Sequence, residues 1–266
     1  MASAKILRLA RPHAFVVSEM CFVRSAEASA ERTENIPSIS IVIPVLNEAR
    51  RIGQFLQSLQ QFRAQGAEVI VVDGGSTDDT IGLATGLADI VRSSRRGRGM
   101  QMNAGSAIAR GRILLFLHAD TELPPLALEL VERACNNDGA VWGRFDVKIA
   151  GTSRGLAVVA FTMNWRSRLS GIATGDQAIF VTTEAFGRVG GFPEIPLMED
   201  LVLSRRLRAI SRPAGLREKV TTAGRRWDTN GLLRTIWTMW WLRLKFHFGV
   251  SPIDLAREYG YASPEH

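Results

Sequence analysis

From residue 38 onward the chain alternates short runs of β-branched residues with longer segments whose apolar positions recur every three to four residues. "SISIVIPVLNE" predicts a strand over about 39–44, halted by Pro44, with Asn47 and Glu48 just beyond it. In "ARRIGQFLQSLQQF" the residues Ile52, Phe55, Leu56 and Leu59 form the stripe of an amphipathic helix. Val69–Val72 reads as a second, buried strand, and Asp73 is the first residue past it. Gly74 and Gly75 permit a tight turn, and Ser76 or Thr77 can cap a helix over about 78–88. A short strand "DIVRS", a Gly/Arg loop "SRRGRG", a helix over about 100–109 and the strand "RILLFLHAD" follow. This βαβαβαβ order predicts an α/β fold, a mainly parallel sheet with helices on both faces. Ligands of such folds bind past the carboxyl ends of the strands. Asn47, Glu48, Asp73 and Asp120 all fall at such ends.

Composition narrows the picture only a little. With 266 residues, 46% of them hydrophobic and 22% charged, the chain is ordinary globular material with room for a substantial core. Thirty-three Lys and Arg against 26 Asp and Glu give a net charge of +7, clustered around residues 92–112, 205–217 and 225–243. That excess suits an anionic substrate or an anionic membrane surface, and no nucleic-acid partner is expected. Cys21 and Cys135 make neither a disulfide framework nor a metal-binding spacing, so a reducing, cytoplasmic setting is the simplest reading. No stretch has the ~20 apolar residues needed to span a bilayer. Glu19 interrupts the apolar run near the start, which makes a poor signal peptide, and residues 1–37 are expected to be a disordered leader dispensable for chemistry.

Three polar stretches carry candidate chemistry. Asp73 could accept hydrogen bonds from a base or ribose, or could merely cap its turn, while Asp78 and Asp79 would support the next helix N-terminus. In "LLFLHADTELPP", Asp120 could hold a hard divalent cation, or Thr121 could simply cap "PPLALELVERA". "SSRRGRGMQMNAG" resembles a phosphate cradle but lacks the P-loop pattern, and Met102 stands where a last glycine would complete G-x-G-x-x-G. Its arginines could meet a diphosphate or be solvated.

Together, "SIVIPVLNE", "VIVVDGGSTDDT", "RGRGMQMNAG", "ILLFLHADTELPP" and "GGFPEIPLMEDLVLSRRLR" have the order and spacing of family 2 glycosyltransferases of GT-A fold. The chain resembles in particular the small prokaryotic branch of rSAM/selenodomain-associated or arsenosugar-biosynthesis transferases, over about residues 38–227. The resemblance implies transfer of a sugar from a nucleoside-diphosphate sugar, a UDP-sugar being the expected donor, to an acceptor hydroxyl with inversion. It places Pro44, Asn47, Glu48, Asp73, Arg96, Arg98 and Asn103 in the nucleotide pocket. Asp120 takes the second acidic place of the family's D-x-D motif and would hold Mg²⁺ or Mn²⁺ with the diphosphate. His118 at the first place departs from the family. Imidazole suits a transition metal better than Mg²⁺, so His118 is either a metal or ribose contact or only the end of the strand.

The catalytic carboxylate of the family matches Asp200 in "MED", with Glu199 its neighbour, although the same residues also begin a helix. Asp176 and Gln177 of "GDQ" and Arg226 and Trp227 of "AGRRW" take acceptor-side places. Ala223 stands where Gln would complete the Q-x-x-R-W signature, and with no membrane span the chain does not read as a polymer synthase. Residues 228–266 form a further amphipathic segment in which Trp237, Trp240, Trp241, Phe246 and Phe248 alternate with Arg234, Arg243, Lys245 and His247. It reads as an interfacial membrane helix, a core helix or a subunit contact. Two rival functions stand beside sugar transfer. One is nucleotidyl transfer, which releases pyrophosphate, and the other is nucleotide-sugar binding without catalysis.

Overall fold

The computed structural model describes residues 37–153 and 155–261, without the side chains of Arg226 and Asn230. Apart from Pro37, the leader expected over 1–37 lies outside the described residues.

The first half follows the predicted alternation. Strand β1 (Ile39–Val45) leads to helices α1 (Ile52–Ser58) and α2 (Gln60–Ala64), then β2 (Glu68–Asp73), α3 (Thr80–Ala84), β3 (Ile90–Ser93), α4 (Arg98–Ser106) and β4 (Ile113–Phe116). The second half comprises β5 (Thr121–Glu122), α5 (Ala127–Glu132), β6 (Trp142–Ala150), α6 (Leu156–Ser170), β7 (Phe180–Thr182), α7 (Thr183–Arg188), α8 (Glu199–Arg208), β8 (Ala214–Ala223), α9 (Arg225–Asn230), α10 (Leu232–His247) and α11 (Pro252–Tyr259). A 3₁₀ turn, Gly175–Gln177, precedes β7.

One sheet runs in the order β3-β2-β1-β4-β7-β6-β8-β5. Strands β3, β2, β1 and β4 are parallel, as predicted. β7 then enters antiparallel to both β4 and β6, β6 and β8 are parallel, and β5 caps the edge antiparallel to β8. The central strands are apolar on both faces. Ile41, Ile43, Val69, Val71 and Leu115 point into one cluster with Leu56, Leu59 and Phe62, while Val42, Ile70, Val72, Leu114 and Phe116 meet Met102, Phe186 and Leu203 on the other. Helices cover both faces for this reason.

Three boundaries differ from expectation. β1 continues through Pro44 to Val45, with Pro44 opposite Val72. The pairing of β1 with β4 has already ended at Val42, so the missing N–H breaks no ladder bond. The helix expected over 78–88 shrinks to Thr80–Ala84, and neither Ser76 nor Thr77 caps it, because Ser76 is spent on Asp73. The helix expected over 100–109 begins at Arg98 and ends at Ser106. The C-terminal helices pack on the start of α8, where Leu242, Leu255 and Ala256 are buried with Leu197, Met198 and Leu201.

Candidate active site

The loop after β2 is closed by its own carboxylates. Asp73, 1% exposed, accepts hydrogen bonds from the backbone N–H of Gly75 at 2.8 Å and Ser76 at 2.9 Å, and from the Ser76 hydroxyl. Gly75 needs no side chain here because its φ is +88°. Asn47, in the left-handed region at φ 54°, locks the neighbouring loop: its N–H donates to Ser76 Oγ at 2.8 Å and its Oδ1 accepts from Thr77 N at 2.8 Å. Glu48 N donates to Thr80 Oγ1 and Ala49 N to Asp78, which ties the ends of β1 and β2 together. Asp73 therefore does cap its turn. A carboxylate has about four acceptor positions, so it keeps capacity for a ligand. Beneath the loop, buried Gln101 of α4 donates to both Val45 O and Val72 O at 2.8 Å.

The other carboxylates gather further along the same edge. A cavity of about 360 Å³ is lined by His118, Asp120, Asp176, Asp200, Arg98 and Trp227 among others. Such a volume suits a small ligand. Asp200, in the first turn of α8, accepts from Gly175 N at 2.9 Å and from Leu201 N at 2.7 Å. A Cβ at Gly175 would lie 2.4 Å from His118 Cε1, so any side chain there would have to displace the imidazole. His118 Nδ1 lies 3.5 Å from Asp176 Oδ1. Burial acts to raise the Asp176 pKa, but His118, Arg98 and Arg243 outweigh it and hold the carboxyl below its usual range.

Asp120 lies 3.7 Å from Arg225, and its carbonyl accepts from Ala223 N, which fixes the loop to the end of β8. Burial raises the Glu48 pKa against the pull of Arg225, and the Asp120 charge adds to the rise. Glu48 thus belongs electrostatically to this group as well. Among the described residues no three His, Cys, Asp or Glu side chains converge as a metal cage. A hard ion shared with a diphosphate needs only one or two protein carboxylates, and Asp120 can supply one.

Backbone strain collects here too. Among the described residues, the non-glycine residues with positive φ are Asn47, Ala178 and Met198, and each adjoins a candidate side chain. Met198, at φ 72°, directly precedes Glu199 and Asp200, and Ala178 follows Asp176 and Gln177. Such conformations cost about 1–3 kcal/mol and cluster at functional sites.

Several expected residues take supporting positions. Glu199, 3% exposed, pairs with Arg98 at 3.0 Å, and burial still raises its pKa. Arg98 is thereby committed to Glu199, and its side chain lies 5.9 Å from the Tyr261 ring. Asn103 spends both ends of its amide on the backbone of Phe192, at 2.9 Å each. Gln177 is buried, with Oε1 accepting from Thr174 N and Nε2 donating to Asn164. Arg96 is exposed, Pro44 offers only buried backbone, and the Arg226 side chain lies outside the described residues. Gln101, Gly175, Arg225, Arg166 and Arg243 belong to the site without having been expected there. Only Arg225 had a local hint, in "AGRRW".

Other features are set apart from this chemistry. A larger hollow of about 630 Å³ lies between α6 and β6, but its Asp146 is already held by Arg144 and Arg168. Burial pushes the Cys135 thiol up to about 11, which leaves it unreactive. No described helix is long and apolar enough to cross a membrane. The α10 indoles lie outside the core, with Trp237 69% and Trp240 64% exposed.

Comparison with known proteins agrees with this architecture. A PGL/p-HBAD biosynthesis glycosyltransferase of Mycobacterium bovis is 38% identical over 94 residues, 33% of this chain and 37% of that protein, so the chain matches well under half of that relative's length. S. aureus TarS residues 1–349, solved with UDP-GlcNAc, superposes with a TM-score of 0.58 at 19% identity, covering 70% of this chain and 58% of that one. A mannosyltransferase from Pyrobaculum calidifontis, solved with GDP-Man and Mn²⁺, gives 0.58 at 17% identity over 90% of this chain and 71% of that one. At such identities the likeness shows the fold, a curled mixed sheet flanked by helices of GT-A type. The model of glycosyl transferase family 2 matches residues 40–192, more than half of the sequence, and the chain belongs to that family.

Proposed function

We propose that the protein transfers a hexosyl group from a nucleoside diphosphate to an acceptor hydroxyl, with inversion at the anomeric carbon. The observation that carries this reading is the single cavity uniting Asp200, Asp176 and Asp120, with Asp120 acting electrostatically on Glu48 past the end of β1. Asp200 is held by two backbone N–H groups and retains lone pairs to take the acceptor's proton as its oxygen attacks the anomeric carbon. The bond from that carbon to the diphosphate breaks, and its electron pair leaves with the nucleoside diphosphate. Asp73, Asn47 and Glu48 hold the nucleoside. A UDP-sugar is the donor we favour, in keeping with the UDP-GlcNAc complex of TarS, and the GDP-Man complex of the Pyrobaculum enzyme keeps GDP-sugars in the screen.

Asp120 is the residue that would hold Mg²⁺ or Mn²⁺, an ion that would neutralise charge on the departing diphosphate. His118, turned towards Asp176, is assigned a positioning role rather than ligation. The narrower placement in the arsenosugar-type branch is supported by "RGRGMQMNAG" and "HADTELPP".

Incubation with a panel of UDP- and GDP-sugars, with Mg²⁺ or Mn²⁺, tests the reading. Release of free nucleoside diphosphate is expected, and release of pyrophosphate would assign nucleotidyl transfer instead. The exposed Trp237, Trp240 and Phe248, with Lys245 lying 5.2 Å over the Trp241 ring, favour contact of α10 with an anionic bilayer surface. Co-sedimentation with phosphatidylserine vesicles but not with phosphatidylcholine vesicles is the expected result.

A further inference from the structure

The cavity around Asp200 holds more buried cationic donors than its carboxylates satisfy. Arg166 of α6 and Arg243 of α10 both line it. Nε and Nη2 of Arg166 and Nε of Arg243 are buried without a hydrogen-bond partner among the described residues. Arg98 contrasts with them, since Glu199 pairs with it at 3.0 Å. The nearby acids act on these arginines through charge, Asp200 on Arg166 and Asp176 on Arg243, but hydrogen-bond none of the three nitrogens. Asp200 accepts from the N–H groups of Gly175 and Leu201, and Asp176 faces His118. Burial pushes the Arg166 guanidinium down to about 10, and repulsion from Arg243 adds to this against the pull of Asp200. Buried donors and like charges left in this way are satisfied by an anion.

We infer that Arg166 and Arg243 form an oxyanion site in this cavity that binds a carboxylate or phosphate carried by the acceptor. The planar guanidinium fork fits either group. The donor's diphosphate offers the same chemistry, but the location favours the acceptor. Helix α6 is fastened to β6 through Asn164, which bonds both the N–H and the carbonyl of Val147. The Asn47–Asp73 loop instead crowns β1 and β2, and β4 and β7 stand between those strands and β6. An acceptor held by its anion would present a hydroxyl to Asp200, so the inference rests on the reading of this cavity as the acceptor's.

Calorimetry on the full chain with glycerol 3-phosphate, glycerate and glycerol, each with and without saturating UDP, tests it. Both anions should bind while UDP is bound, and glycerol should not. R166Q and R243Q should each weaken the anions about tenfold or more, and R166K should recover part of the loss. Circular dichroism checks that each variant is folded. The two arginines lie on different helices, so one misfolded variant leaves the other decisive. The inference is overturned if the wild type binds neither anion, or if both folded variants bind them normally. It is also overturned if UDP competes with the anions and the variants lose UDP, which would assign the arginines to the donor. A wild type that ignores both UDP and GDP yet binds anions through Arg166 and Arg243 would remove the glycosyltransferase reading and keep the site.

Discussion

The loop after β2 and the cavity around Asp200 are both built around carboxylates, yet they satisfy those charges in opposite ways. In the loop, Asp73 accepts from two backbone N–H groups and a hydroxyl, Asp78 accepts from Ala49 N and Thr80, and Asn47 bonds Ser76 and Thr77. In the cavity, three guanidinium nitrogens of Arg166 and Arg243 are buried without hydrogen-bond partners among the described residues. So is Oε2 of Glu199, which neighbours Asp200 in the chain without lining the cavity, and Met198 holds a left-handed backbone nearby. The loop is therefore finished before any ligand arrives. The cavity keeps buried donors without hydrogen-bond partners among the described residues, the condition in which the proposed ligand would do most for binding and chemistry.

The largest effect should fall on the unfinished side. Asp200→Asn removes the proposed base, a group that typically contributes ~10²–10⁴-fold, so turnover should fall by about that much while calorimetry finds UDP binding intact. Glu199→Gln should be milder, because Glu199 answers to Arg98. Near-normal turnover in Asp200→Asn would move the base to Glu199 or Asp176. Gly175→Ala comes next. Its new Cβ would sit 2.4 Å from the His118 ring, on the residue whose N–H holds Asp200. Misplacing a base by about 1 Å costs up to ~10²-fold, so a loss of roughly tenfold to a hundredfold is expected in the same assay. Normal turnover would show that this packing does not position Asp200.

A smaller effect is expected in the loop. Asp73→Ala removes the acceptor of three hydrogen bonds and should weaken UDP about tenfold in a folded protein. Asp73→Asn keeps one acceptor oxygen and should lose less. If Asp73→Ala binds UDP like the wild type, the loop is not the donor site, and the contrast between the two regions fails.

How much of this was legible in the sequence follows from how local each feature is. The central strands were readable because runs such as Val69–Val72 are apolar on both faces, and the glycine turn after Asp73 needs only its neighbours. Helix α3 was overextended because Ser76 and Asp78 turn their oxygens to Asp73, Asn47, Ala49 and Thr80 rather than to a longer helix. The strand ends of Asn47, Glu48, Asp73 and Asp120 were anticipated from local pattern, whereas Asp200, which shares a cavity with Asp120, was pointed to only by the family resemblance. Arg166 and Arg243 were not, since they meet only when α6 and α10 converge, and neither segment spells a motif. The hydrogen bonds of Asn103 were not legible for the same reason: its partner, Phe192, is 89 residues away.

The smallest expected effect distinguishes the two regions by the sign of their pH dependence. The Thr80 hydroxyl, with the backbone N–H groups of Ala49 and Thr80, holds Asp78 below its usual 3.8 against the opposing effect of desolvation. A depressed native value means that the unfolded chain binds the proton more readily. Asp78 then stabilises the fold above that usual value, and the contribution disappears as pH falls through the native one. Glu199 runs the other way. Burial raises it above 4.5 despite Arg98, so its contribution is complete below 4.5 and is lost as pH rises through the raised value. Arg98 stays charged throughout and adds no slope. In thermal melts between about pH 3 and pH 8, Asp78→Asn should melt a few degrees at most below wild type at neutral pH, with the gap closing in acid. Any advantage of wild type over Glu199→Gln should instead shrink as pH rises. Curves that run in the same direction would mean that the loop and the buried start of α8 hold their carboxylates by the same means.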